Sequence, residues 1–263
     1  MKRFVKFIPL LFILFMVTGC GKEEVAYRTI EEIRGDGTVN IAFSTDRYPF
    51  MNKDTGTENN EAMKENDKIY HIEEQIIGNF VKKNAVKVNL IKTSRAEVAE
   101  LITDGSVDIA FGKIEKNESD KFKVNQSLVF AKEEPYVITN KGVTIFSLHD
   151  FADKKVALIS DTPLTSLVKS DVSGVASDIK QYKSLDNAID QLLLYNIDAV
   201  ICYKNEAENV VSENADTLEI NTLADWKLLE YVGLVAKGND ELLTEVNNVI
   251  NEYFYPTLEE EEI

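Results

Sequence analysis

The chain has 263 residues, 44% of them hydrophobic, enough for one large domain or two smaller ones with buried cores. Its 29 basic residues stand against 45 acidic ones, a net charge of −16. Such a surface repels phosphate backbones and anionic lipid headgroups, which excludes nucleic acid as the expected partner.

The first element is a leader. Lys2, Arg3 and Lys6 form a basic start, residues 7–17 are an almost unbroken apolar run, and Thr18-Gly19-Cys20 follows. A secretory signal has this layout, and the run is too short for a comfortable membrane span. The small residues before Cys20 resemble a bacterial lipobox. That resemblance implies a signal peptide over 1–19 and a lipidated Cys20 as the first mature residue. An ordinary signal peptide and a short membrane anchor are the alternatives. The expected location is the extracytoplasmic face of a bacterial cell membrane, held by the lipid. Without the leader, 26 basic and 45 acidic residues remain, a net charge of −19. Once Cys20 is lipidated, Cys202 has no cysteine to pair with, so no intramolecular disulfide is expected. Its apolar surroundings, Asp198-Ala-Val-Ile-Cys202-Tyr203, read as a buried strand.

Residues 20–35 read as a tether, polar over 21–27 and then a helical turn that Gly35-Asp36-Gly37 breaks. Residues 38–44 alternate and are rich in β-formers, a strand. Residues 52–69 are polar and read as a long surface loop. Ile72, Ile76, Ile77, Phe80 and Val81 share a helical face. A strand at 86–90, a helix marked by Val98, Leu101 and Ile102, and a strand at 107–111 follow. The pattern then repeats: a short helical segment at 146–151, a strand at 155–159, and a helix opened by Thr162-Pro163. A helix at 184–194, a strand at 197–202, a late strand at 231–236 and a final helix carrying Leu242, Val246, Val249 and Ile250 complete the order. The alternation predicts an α/β protein with mainly parallel pairing. Residues 257–263 form an acidic tail.

Two segments match each other without gaps. The helix-turn-strand ending Asp108-Ile-Ala-Phe111 is repeated by the one ending Asp198-Ala-Val-Ile201. Two similar α/β lobes follow from the match. Each aspartate sits just before its strand, where a capping role suffices.

These pieces resemble the family 3 extracellular solute-binding proteins of bacterial ABC importers. The likeness rests on residues 28–43, on Tyr48-Pro49-Phe50, on residues 100–108, on residues 150–157 and on residues 231–238. It implies the type II periplasmic-binding fold: two lobes joined by two crossing strands, with a ligand between them. Lobe 1 would take 36–131 and 223–256, and lobe 2 would take 132–222. The function implied is capture of a small polar solute, an amino acid or related carboxylate, by a monomer that delivers it to ABC permease subunits. A ligand sensor outside transport, a member that binds a partner protein, and a dehydratase sharing the fold are the alternatives.

The likeness also implies a site. Arg47 and Tyr48 follow strand one, Arg95 follows strand two, and Phe111, Gly112 and Lys113 end the strand after it. Thr162 and Tyr203 come from lobe 2. Ser119 stands where the family usually has a carboxylate-holding arginine, Tyr203 where it has an ammonium-holding aspartate, and Ile114 at a usual hydroxyl position. Arg47 or Arg95 is therefore expected to supply the positive charge, unless both are solvated surface residues. Trp226 is a weaker candidate. Lys113 and Glu115 read equally as decoration of a solvated loop, and Glu73-Glu74 as a solvated face. His71 and His149 have no His or Cys at metal-ligand spacing, and no phosphate-binding or nucleophile-elbow motif occurs. No metal, cofactor or catalytic residue is expected.

Overall fold

The computed structural model describes residues 27–44, 68–116, 124–224 and 226–254. Chain order begins with α1 (Ile30–Asp36), β1 (Thr38–Ser44), α2 (Lys68–Asn84), β2 (Lys87–Thr93), α3 (Arg95–Thr103), β3 (Ile109–Phe111) and β4 (Val124–Gln126). Next come β5 (Ala131–Glu133), β6 (Tyr136–Asn140), a 3-10 turn (Leu148–Phe151), β7 (Lys155–Ile159), α4 (Pro163–Ser173), β8 (Asp178–Tyr182) and α5 (Leu185–Leu193). The chain continues with β9 (Ala199–Cys202), α6 (Lys204–Glu213), β10 (Leu218–Thr222), β11 (Leu229–Tyr231), β12 (Leu234–Ala236) and α7 (Asp240–Phe254).

Two five-stranded sheets have the orders β2-β1-β3-β12-β4 and β8-β7-β9-β6-β10. The orders correspond strand for strand. In each sheet the first three strands are parallel and the last two join antiparallel. The expected architecture is thus present: two similar α/β lobes, with β5 and β11 crossing between them as an antiparallel pair.

The repeated aspartates explain part of the likeness. Asp108 Oδ2 accepts from Asn40 N at 2.7 Å, and Asp108 N donates to Asn40 O at 2.9 Å. Asp198 does the same to the neighbouring strand's entrance, accepting from Lys155 N at 2.7 Å while its own N donates to Lys155 O at 2.9 Å. Each acid satisfies backbone groups where a parallel ladder starts. Arg28 clamps Asp108 through two of its nitrogens.

Helix α1, placed within the tether by the sequence pattern, packs into the first lobe. Thr29 and Glu32 form a capping box, Gly37 ends the helix at φ 66°, and Ile30 and Ile33 are buried. The late strand divides in two. Tyr231 belongs to the crossing pair and Leu234 to the first lobe's sheet, with Val232-Gly233 between them. A Cβ at Gly233 would stand 2.8 Å from the Phe111 ring, so the chain passes there only as glycine. One apolar cluster runs through both lobes by way of Phe130, Val137, Tyr231 and Trp226. Two smaller clusters fill the other faces of the sheets. Each large side chain so buried contributes about 1.5–3 kcal/mol.

Candidate functional site

In open α/β sheets the carboxyl ends of the strands face the ligand crevice. Here the ends of β1, β3, β7 and β9 meet in a seam between the lobes. Phe43 of β1 is paired with Phe111 of β3, and the chain turns sharply after Phe111. Gly112 has φ 114°, and a Cβ there would lie 2.4 Å from Ser44 N and O. Lys113 follows at φ 52°. The two reversed peptides point both N–H groups at one carboxylate: Gly112 N and Lys113 N donate to Glu73 Oε1 at 3.1 and 2.9 Å. Glu73 comes from α2 and is fully buried.

Arg95, the first residue of α3, reaches the same loop. It donates to Lys113 O at 3.0 Å and forms an ion pair with Glu115. The Glu115 side chain is 0% exposed and that of Arg95 is 13% exposed. The backbone of Glu115 bridges Tyr231 of the crossing pair, whose hydroxyl donates to Glu133 at 2.6 Å.

The second lobe closes onto this group. Tyr203 follows β9 and caps α6, where Glu206 accepts its N–H at 3.0 Å. Its hydroxyl donates to Glu115 Oε1 at 3.2 Å and accepts from Leu164 N at 3.2 Å, at the start of α4. Thr162 caps that helix, its Oγ1 accepting from Thr165 N at 3.1 Å. Lobe 1's loop, lobe 2's helix start and the Tyr203 phenol thus form one hydrogen-bonded line.

Arg95, Gly112, Lys113, Thr162 and Tyr203 are brought together at the seam. Phe111 ends the strand there, but its ring lies in the core, 5.9 Å from Phe130, so only its backbone faces the site. Trp226 packs at a tilt against Phe151, ring centroids 6.0 Å apart, inside the shared core. Cys20, Arg47, Tyr48, Ser119 and residues 52–67 of the loop expected at 52–69 lie outside the described residues, and residues 68–69 open α2 instead of ending that loop.

Two expectations are corrected by burial. Glu73 and Glu115 are not on solvated faces; both are fully enclosed. Glu73 carried a signal in the sequence, since it falls four residues before Ile77 and seven before Phe80, within the apolar face of α2. Glu115 carried none, because its partners come from residues 95 and 203. Cys202 is buried as expected, and burial pushes its thiol well above the usual range, helped by Glu206 and Glu133. His71 lies within α2. Among the described residues no cluster of His, Cys, Asp and Glu is arranged to hold a metal. An apolar groove of about 660 Å³ opens on lobe 1 between Ile69, Leu128, Phe130, Ile250 and Phe254.

The fold is shared with solved binding proteins. An ancestral cationic amino acid solute-binding protein superposes with a TM-score of 0.62 at 18% identity, covering 86% of this chain and 93% of that one. A further structure of this ancestral protein is described as that of a precursor of cyclohexadienyl dehydratase. The amino acid ABC transporter substrate-binding protein AbpA from Streptococcus pneumoniae, bound to L-arginine, gives 0.59 at 21% identity, covering 85% and 92%. Arginine-bound ArgBP from T. maritima gives 0.58 at 18%, covering 86% and 100%. No curated protein matches the sequence. The sequence pattern that does match is described as NMT1/THI5 like and covers residues 78–254, from α2 through the seam loop and both lobes to the end of α7. The resemblance read from the motifs pointed to family 3 of the solute-binding proteins; the type II fold is common ground, and the chain belongs to the NMT1/THI5-like family.

Proposed function

We propose that the protein is an extracytoplasmic solute-binding protein that closes its two lobes around a small polar solute and delivers it to an ABC permease. One observation carries the reading. Two matching α/β lobes turn the carboxyl ends of their central strands toward a buried polar seam, crossed among the described residues by the β5–β11 pair. That is the arrangement of a hinge-closing binding protein. The bound amino acids named for the structural relatives support a nitrogen-bearing solute of similar size. Arg95, Gly112, Lys113, Thr162 and Tyr203 are the described residues assigned to contact it, with Arg47 and Tyr48 from the loop after β1 and the backbone of Phe111. The lipobox-like leader supports attachment through Cys20 to the outer face of the cell membrane.

Thermal denaturation against a panel of amino acids, dipeptides, dicarboxylates and polyamines tests the reading. A ligand present at about a hundred times its Kd stabilises by about 2.7 kcal/mol, an upward shift of several degrees. A flat panel would count against solute capture. Mass spectrometry of the membrane fraction tests the anchor: a diacylglyceryl cysteine at position 20 is expected, and an uncleaved N-terminus would refute it.

A fold-sharing enzyme is the second reading, favoured by the description of one ancestral relative as a dehydratase precursor. Turnover of any compound that the protein binds would establish it.

A further inference from the structure

Three parts of the seam are built to hold an anion. The reversed peptides at Gly112 and Lys113 make a pair of convergent N–H donors, a backbone nest. Arg95 presents a guanidinium fork suited to a carboxylate. The start of α4 offers N–H groups and the positive end of a helix dipole. A solute's carboxylate would be expected to dock on one of them.

Each of the three is taken by the protein itself. Glu73 sends Oε1 into the nest, at 3.1 Å from Gly112 N and 2.9 Å from Lys113 N. Glu115 pairs with Arg95, with neither side chain more than 13% exposed. Thr162 Oγ1 and Tyr203 Oη accept from Thr165 N and Leu164 N at the helix start. Glu73 comes from a helix 39 residues away in sequence from the peptides it binds, so its insertion is a product of the tertiary fold and not of local loop chemistry.

We propose that Glu73 and Glu115 are specificity-determining residues that exclude carboxylate-bearing solutes, and that the seam takes a carboxylate-free amine or amidine. This deepens the solute-binding reading and rests on it. The argument is one of competition. An incoming carboxylate must evict Glu115 from Arg95 or Glu73 from the nest, separating a buried anion from the donors that hold it and setting a second one of like charge beside it. An incoming ammonium or amidinium needs no eviction: the Glu115 carboxylate has lone pairs for a second cation beside Arg95, and Glu133 and Glu206 contribute further negative charge through their contacts with Tyr231 and Tyr203. Discrimination of this kind works through the cost imposed on the wrong ligand.

Calorimetry on the intact protein with three matched pairs tests the proposal: L-arginine and agmatine, L-histidine and histamine, L-lysine and cadaverine. In at least one pair the amine is expected to bind about tenfold or more tightly than the amino acid, a difference of about 1.4 kcal/mol. In Glu115→Gln, which removes the carboxylate paired with Arg95 and keeps the side-chain shape, the preference is expected to shrink or reverse. Should that variant fail to fold, the comparison within the parent protein decides alone. Amino acids binding as tightly as, or more tightly than, their amines in every pair would overturn the proposal. A protein that binds no member of any pair but is stabilised by dicarboxylates would overturn it while sparing solute capture. A protein that binds nothing in either set would overturn both.

Discussion

Arg95 and Glu115 define the site because burial makes each depend on the other. Arg95→Ala removes the Arg95 guanidinium from beside the enclosed Glu115 carboxylate. Breaking a buried pair from one side costs about 3–5 kcal/mol. Denaturant unfolding should show a loss of that order, with much of it restored in Arg95→Met/Glu115→Leu, where both charges are gone. A loss in the double variant equal to the sum of the losses in Arg95→Met and Glu115→Leu alone would mean that the pair is not coupled. Cys202 gives an independent check on the second lobe's core. Its buried thiol is held protonated, so a thiol reagent should label it only at the rate of unfolding. Rapid labelling of the native protein would contradict the packing of β9. Residue scale is also where the sequence was least legible. Arg95 and Lys113 were picked out as candidates, but the carboxylates that face them were assigned to solvated surfaces. Acidic residues are abundant in this chain, and nothing local to Glu115 announces partners contributed by α3 and by the second lobe.

At the scale of elements, periodicity carried most of the information. The capping signal Thr162-Pro163 fixed the start of α4, and the helix read at 184–194 runs from Leu185 to Leu193 with Ser184 as its cap, accepting from Asn187 N at 3.3 Å. The division of the late strand into β11 and β12 was not legible, because residues 231–236 are uniformly β-compatible and the break is imposed by the crossing of the chain beside Phe111. Three caps carry a pH dependence. Hydrogen bonds from Thr29 N to Glu32, from the Ser94 and Thr93 hydroxyls to Glu97, and from Phe146 N and Ser147 N to Asp150 hold these carboxyls below their usual range. A lowered folded-state pKa means that the stabilisation is fully present above the ordinary carboxylate range and is lost as pH falls through the lowered values. The melting temperature should therefore decline on acidification below about pH 4.5, and the decline should be shallower in Glu32→Gln/Glu97→Gln/Asp150→Asn. An unchanged slope would remove these caps from the acid response. Gly112 belongs to the same scale. Gly112→Ala puts a Cβ against the backbone of Ser44 at a φ that side chains rarely adopt. A loss of at least about 2 kcal/mol is expected in denaturant unfolding, and near-neutrality would show that β1 and the seam loop are less closely apposed.

The whole molecule shows why the repeat could be read from sequence. Asp108 and Asp198 stand at equivalent strand entrances, each tied to the neighbouring parallel strand, so the same local pattern recurs wherever the same ladder must be started. What joins the two lobes was not encoded locally. The hydrogen-bonded line from Glu115 through the Tyr203 phenol to Leu164 N spans residues from three separate parts of the chain. It ties the two lobes to each other. Tyr203→Phe removes its middle atom and leaves the Leu164 N–H without that acceptor, a loss of about 1–3 kcal/mol if the amide stays buried. Small-angle scattering of the unliganded variant should then give a larger radius of gyration than the parent. The central claim, that the seam captures one small solute, is tested most directly by calorimetric titration of the most stabilising compound from the thermal panel into the purified protein. One saturable site per chain is the expected result, and the absence of a saturable site for every compound would contradict it.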